Sequence, residues 1–130
     1  MAADASSLRT PHEWLKPAKS NLAIARQPKT GEIYWEDLCF ETQQAAEKAL
    51  KAVMLAKGIK FRPVHNLSEH LTRLEQSGVA LPDGVKNAAM LTDYSVETRY
   101  PGPIEPITEQ EFRKSLRIAE AVVAWAERQL

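Results

Sequence analysis

The sequence is short of the residues that most often announce a chemistry. Cys39 is the one cysteine in 130 residues, which excludes an internal disulfide and fits a reducing compartment. The five glycines, Gly31, Gly58, Gly78, Gly84 and Gly102, are scattered, so no clustered loop is available to cradle phosphate. The three histidines, His12, His65 and His70, form no HxxxH pair, and there is no CxxC; neither a metal nor another cofactor is expected. Charge of one sign is also missing. Seventeen basic side chains balance seventeen acidic ones, which argues against broad coating of nucleic acid but leaves room for a local basic patch. No apolar run approaches the ~18 residues that cross a bilayer. Met1–Ser7 lacks the basic start and apolar core of a secretory signal. The expected location is the cytoplasm, with no membrane partner.

What is present is helical periodicity. Residues 1–9 are small and polar and read as a flexible N-terminus, leaving residues 10–130 as a single domain. Thr10-Pro11 opens a first helix whose apolar face is Trp14, Ala18, Leu22 and Ala25, closed by Pro28-Lys-Thr-Gly31. The second and longest helix is predicted from about Glu32 to Lys57. Its stripe runs through Trp35, Leu38, Cys39, Thr42, Ala46, Ala49 and Val53, with Gly58 as the stop. Cys39 lies on that stripe and reads as a small hydrophobe. After an extended connection, Asn66 caps a short helix carrying Leu67, Leu71 and Leu74. A fourth helix is predicted through Val85, Ala88, Ala89, Thr92 and Val96, ending before Pro101. Thr108-Glu-Gln-Glu111 is a capping-box pattern for the last helix, along Phe112, Leu116, Ala119, Val123, Ala126 and Leu130. Ile118, Val122 and Trp125 widen its apolar stripe enough for two neighbours, or for one neighbour and a second subunit. No β-alternation of useful length occurs. The expected fold is all-α: an antiparallel up-and-down bundle of four long helices plus a short fifth.

Three polar features stand out. Lys16, Lys19 and Arg26 make a basic stripe on the first helix, either a solvated surface or a contact line for phosphates. Gln43, Glu47 and Lys48 suggest a polar line along the second helix. Arg99 suits a phosphate as well as it suits a carboxylate or helix end that fixes the Tyr100-Pro101-Gly102 turn. Tyr94 and Tyr100 flank it, each able to stack on a base or to bury its ring with the hydroxyl wet. His65 reads as a connector or capping histidine or as a proton carrier.

Gln43-Gln-Ala-Ala-Glu-Lys-Ala-Leu-Lys-Ala52, His65-Asn-Leu67 and Tyr94-Ser-Val-Glu-Thr-Arg-Tyr-Pro-Gly102, in that order between a tryptophan-bearing first helix and an alanine-rich last one, resemble the HEPN family over roughly Trp14 to Leu130. The resemblance implies a homodimer with a cleft between subunits, a nucleotide or RNA ligand, and possible pairing with a nucleotidyltransferase, as in toxin–antitoxin systems. It assigns nucleotide or RNA contacts to Arg99, Tyr94, Tyr100, His65, Gln43 and Lys48. Ribonuclease members of that family carry Arg, four to six residues, then His. Arginine there steadies the phosphorane charge, and histidine moves the proton. Here Arg99 fits the first position, but the second falls on Ile104, Glu105 or Pro106, and no histidine follows. The motif is broken. Arg99 and His65 remain the candidates for any metal-independent ribonuclease activity. The expectation is a binding module with weak or no catalysis, set against a ribonuclease with a non-standard site or a purely structural interaction subunit.

Overall fold

A computed structural model describes residues 10–95 and 106–130. Its elements are α1 (Pro11–Ala25), α2 (Trp35–Ala56), α3 (Leu67–Gln76), the single turn α4 (Asp83–Lys86), a 3-10 segment (Asn87–Ser95) and α5 (Glu109–Gln129). No strand occurs among the described residues. The all-α class is therefore as the sequence predicts, while the fourth helix differs in kind.

Local chemistry sets the helix ends. Thr10 accepts from the Glu13 amide at 3.1 Å while Glu13 accepts from the Thr10 amide at 3.3 Å, a complete capping box. Thr108 caps α5 in the same sense, accepting from the Glu111 amide at 3.1 Å. The C-termini of α2 and α3 close on Gly58 (φ 68°) and Gly78 (φ 87°), a left-handed backbone that an L side chain resists. In each, the following amide reaches back to a carbonyl five residues earlier, Ile59 to Met54 at 2.8 Å and Val79 to Leu74 at 3.0 Å.

Of the helix predicted through Val85 to Val96, the described part is one α-turn followed by nine residues of 3-10 helix ending at Ser95, and Val96 lies outside the described residues. The reason is legible in its burial. Val85, Ala88 and Leu91 are buried and Tyr94 packs against both core clusters, each three residues from the last. A period of three keeps those side chains on one line only if the backbone winds at three residues per turn.

Helix α2 is the centre of the molecule, packed on α1 and α5 and also touching the 3-10 segment and α3. Its alanines Ala45, Ala46, Ala49 and Ala52 share one core with Leu15, Ala18 and Leu22 of α1 and with Ala119, Val122 and Ala126 of α5. A smaller cluster, with Trp35 stacked on Phe112 at 5.1 Å, joins the start of α2 to the start of α5. Ile118, Val122 and Trp125 are all buried within the protomer. The broad stripe on α5 is thus consumed by internal neighbours, chiefly α2 and α1, and is not a subunit-facing surface.

Candidate functional site

The most unusual feature of the core is a row of polar side chains on α2. Gln43, Glu47 and Lys51 follow one another at one-turn spacing, and all three are buried. Isolated charges are not stable in such a place, so each must be paired and hydrogen-bonded. The Glu47 carboxylate accepts three bonds: from Gln43 Nε2 at 2.9 Å, Lys51 Nζ at 2.9 Å and His65 Nδ1 at 2.8 Å. Burial works to raise the Glu47 pKa. The hydrogen bond and charge of Lys51, joined by the bonds from His65 and Gln43, outweigh burial and hold the carboxyl below its ordinary value. Glu47 is therefore ionised, and the Nδ1 of His65 must carry a proton to donate to it.

That bond fixes the histidine. His65 sits on the connection between α2 and α3, with 60% of its side chain exposed against 4% for Glu47. With Nδ1 donating inward, Nε2 is left facing outward, and it makes no hydrogen bond among the described residues. A carboxylate behind one ring nitrogen selects the tautomer and aims the other nitrogen. Neutral, His65 presents an acceptor there; protonated, it presents a charged donor.

A second histidine completes the cluster. His70 on α3 is fully buried, its Nε2 donates to the Val64 carbonyl at 2.9 Å, and its Nδ1 has no partner among the described residues. Burial is the largest influence on the imidazole and depresses its pKa; Lys51 adds to the effect, and the Val64 carbonyl with Glu47 and Glu69 opposes it. Phe61 lies edge-on to His70 at 6.0 Å and under the Lys51 ammonium at 5.8 Å. Thr92 of the 3-10 segment accepts from the Leu67 amide at 3.2 Å, so this segment adjoins the start of α3.

The residues singled out in the sequence divide. His65 and Gln43 meet on Glu47. Lys48 lies off this row: it donates to Asn21 of α1 at 2.8 Å, and Asn21 donates in turn to Glu41 at 2.7 Å. One turn past Glu47 the helix presents residue 51, not 48, which is why Lys51 takes the place expected of Lys48. The Tyr94 hydroxyl donates to Glu111 at the start of α5. Arg99 and Tyr100 lie outside the described residues. Sequence reasoning misses Lys51 and His70; the spacing 43, 47, 51 is the available signal for Lys51, and nothing local marks His70. The basic stripe on α1 is largely engaged, Lys19 with Glu127 and Arg26 with Glu120 at 2.7 Å, both on α5. Among the described residues no three of His, Cys, Asp and Glu come together as a metal set, and no helix is long and apolar enough to cross a membrane.

The described residues form a small all-helical domain built on one central helix, α2. A family model described as the HEPN domain matches residues 11–129, and the chain belongs to the HEPN domain family. Solved structures agree. The crystal structure of TT1696 from Thermus thermophilus is similar at 33% identity and TM-score 0.77, covering 92% of this chain and 98% of that one. ST0689, an archaeal HEPN homologue, is similar at 28% identity and TM-score 0.72, covering 93% of this chain and 98% of its own. No curated protein matches significantly.

Proposed function

We propose that this HEPN domain is a module that binds a nucleotide or RNA phosphate, with His65 as its principal contact and Glu47 as the group that aims it. The observation carrying this reading is the Glu47–His65 bond of 2.8 Å, which leaves one imidazole nitrogen turned to solvent from a rigid support. Arg99, Tyr94 and Tyr100 remain its proposed companions, Gln43 acts through Glu47, and Lys48 is the least favoured of the set. Work as a homodimer beside a nucleotidyltransferase is proposed from family membership, because the α5 stripe that suggested self-association is covered internally; the cytoplasm is proposed from the single cysteine.

The test is thermal stability with millimolar ATP, GTP or a short RNA. A ligand that binds the native state raises the melting temperature, and His65→Ala should abolish the rise. No shift with any of these ligands would overturn the reading. The same bond favours a second reading, a metal-independent ribonuclease in which His65 moves the proton in place of the missing histidine. It predicts RNA cleavage in EDTA that disappears in His65→Ala and falls sharply in Glu47→Gln. Absence of cleavage in the unaltered protein leaves the binding module.

A further inference from the structure

His65 stands on the connection between α2 and α3, residues 57–66, which has no helix of its own. Glu47 holds only the ring of that histidine. A ring on a loose loop would have to offset the entropy of ordering the whole loop before it met Glu47. Something else must hold the backbone.

Three hydrogen-bonded contacts tie residues 59–64 to the two helices. At the start, the Ile59 amide donates to the Met54 carbonyl at 2.8 Å. In the middle, Arg62 grips Glu69 of α3 through two N–H groups. Some 64% of the Arg62 side chain is exposed, so water and salt compete for that pair. The third contact is sheltered: Nε2 of the fully buried His70 donates to the Val64 carbonyl at 2.9 Å. His70 lies in the first turn of α3, and that turn is itself fixed by the Asn66 cap and by the bond from the Leu67 amide to Thr92.

The position of the sheltered bond gives it its consequence. The Val64 carbonyl and the His65 amide belong to one planar peptide. Holding the carbonyl holds the plane from which His65 starts. The protons follow from the same contacts. A carbonyl only accepts, so Nε2 of His70 carries the hydrogen, and in the neutral ring Nδ1 keeps the lone pair. His65 is arranged the other way, with Nδ1 protonated toward Glu47.

We propose that His70 is a positioning residue for His65: its bond to the Val64 carbonyl sets the backbone, the Glu47 carboxylate sets the ring, and the two histidines stand in opposite tautomers so that Nε2 of His65 faces outward. His70 touches no ligand and acts through the Val64–His65 peptide. The proposal deepens the reading of His65 as the ligand contact and rests on that reading for its functional meaning.

Long-range 1H–15N spectra of the 15N-labelled full chain, recorded in mildly alkaline solution, report which ring nitrogen of each histidine carries the proton. His70 should appear as Nε2–H and His65 as Nδ1–H, with exposed His12 as the reference for a solvated ring that exchanges between the two. Either His65 or His70 in the other tautomer overturns the proposal without any substitution. His70→Phe keeps a ring in the core and removes the donor, and His65 should then give the averaged pattern of His12. His70→Leu reads the same loss if the larger ring does not fold. His70→Gln offers an amide N–H to the same carbonyl and should restore the Nδ1–H pattern. A folded donor-free variant in which His65 stays Nδ1–H would mean that Glu47 alone places the ring, and would discard the proposal. These spectra need no ligand, so they succeed or fail apart from the reading of His65 as a contact. With ATP, GTP or the short RNA, the rise in melting temperature should vanish in His70→Phe and return in His70→Gln. A rise that survives in His70→Phe while the His65 pattern is lost would retain the positioning role and count against His65 as the contact.

Discussion

The two sides of α2 solve the same packing problem in opposite ways. One side is alanine: Ala45, Ala49 and Ala52 are fully buried in the common core with α1 and α5. Small side chains let neighbouring helices approach closely, and they bring no polar group that must be satisfied. The other side buries Gln43, Glu47 and Lys51 next to Leu50 and Met54. There the helix carries an ion pair that leucine and methionine would replace at little cost. Buried pairs of this kind are weak contributors to stability, because desolvation offsets most of their attraction. The alanine side is thus explained by the fold. The polar side is explained only by what it holds, and what it holds is His65.

The sharpest way to break that contrast is Glu47→Ala, which strands the Lys51 ammonium in the core. Removing one partner of a buried pair costs about 3–5 kcal/mol, read as a loss of unfolding free energy in urea. The double change Glu47→Leu with Lys51→Met should recover most or all of that loss, while leaving His65 without its support. If the single change were harmless, the row would be a solvated edge and not a buried network. On the opposite side, Ala49→Leu should cost about 1–3 kcal/mol by overpacking. A neutral result there would mean that the helices part easily and that the alanines are not setting their distance.

The sequence is informative wherever a signal is local. Thr10, Thr108, Gly58 and Gly78 mark helix ends by chemistry confined to one turn, and the long stripes of α1, α2 and α5 follow from a period of 3.6. It is less informative where two periods fit. Val85, Ala88 and Leu91 sit as well on an α-helical face as on a 3-10 line, and only the partner surface decides between them. The polar row shows the same limit. Gln43, Glu47 and Lys51 have the pattern of a solvated helix face, and burial is a property of the assembled bundle. The meeting of Glu47 with His65, 18 residues later, depends on how the connection after α2 turns back. The width of the α5 stripe is legible, but width does not fix its destination: elements of the same chain cover Ile118, Val122 and Trp125.

Acid should separate the two sides of α2 without any mutation. His70 is held neutral by burial, with its pKa below the ordinary 6.5, so below that pH the unfolded chain binds a proton that the native state does not. Stability therefore falls as the pH drops below 6.5, by at most about 1.4 kcal/mol per pH unit for one proton. Glu47, with its native pKa below the ordinary 4.5, contributes stability that is fully present above 4.5 and is lost as the pH falls through the native value. Urea titrations from about pH 7 to 3 should show both losses. His70→Gln should flatten the upper one only. A profile flat between about pH 6.5 and 5 in the unaltered protein would contradict the buried, neutral His70.

The smallest effect belongs to the pairs that resemble Glu47–Lys51 in chemistry but not in place. Lys19 and Glu127 join α1 to α5 with about half of each side chain in water. Water and salt screen such a pair, and exposed pairs contribute roughly 0.2–1 kcal/mol. Lys19→Ala should therefore shift the urea midpoint only slightly, and molar salt should erase the difference. The loss in Glu47→Ala should persist in the same salt, since ions do not reach a carboxylate buried among Gln43, Lys51 and His65. Equal salt sensitivity of the two variants would place Glu47 in contact with solvent, and the contrast between the two sides of α2 would then be one of composition and not of environment.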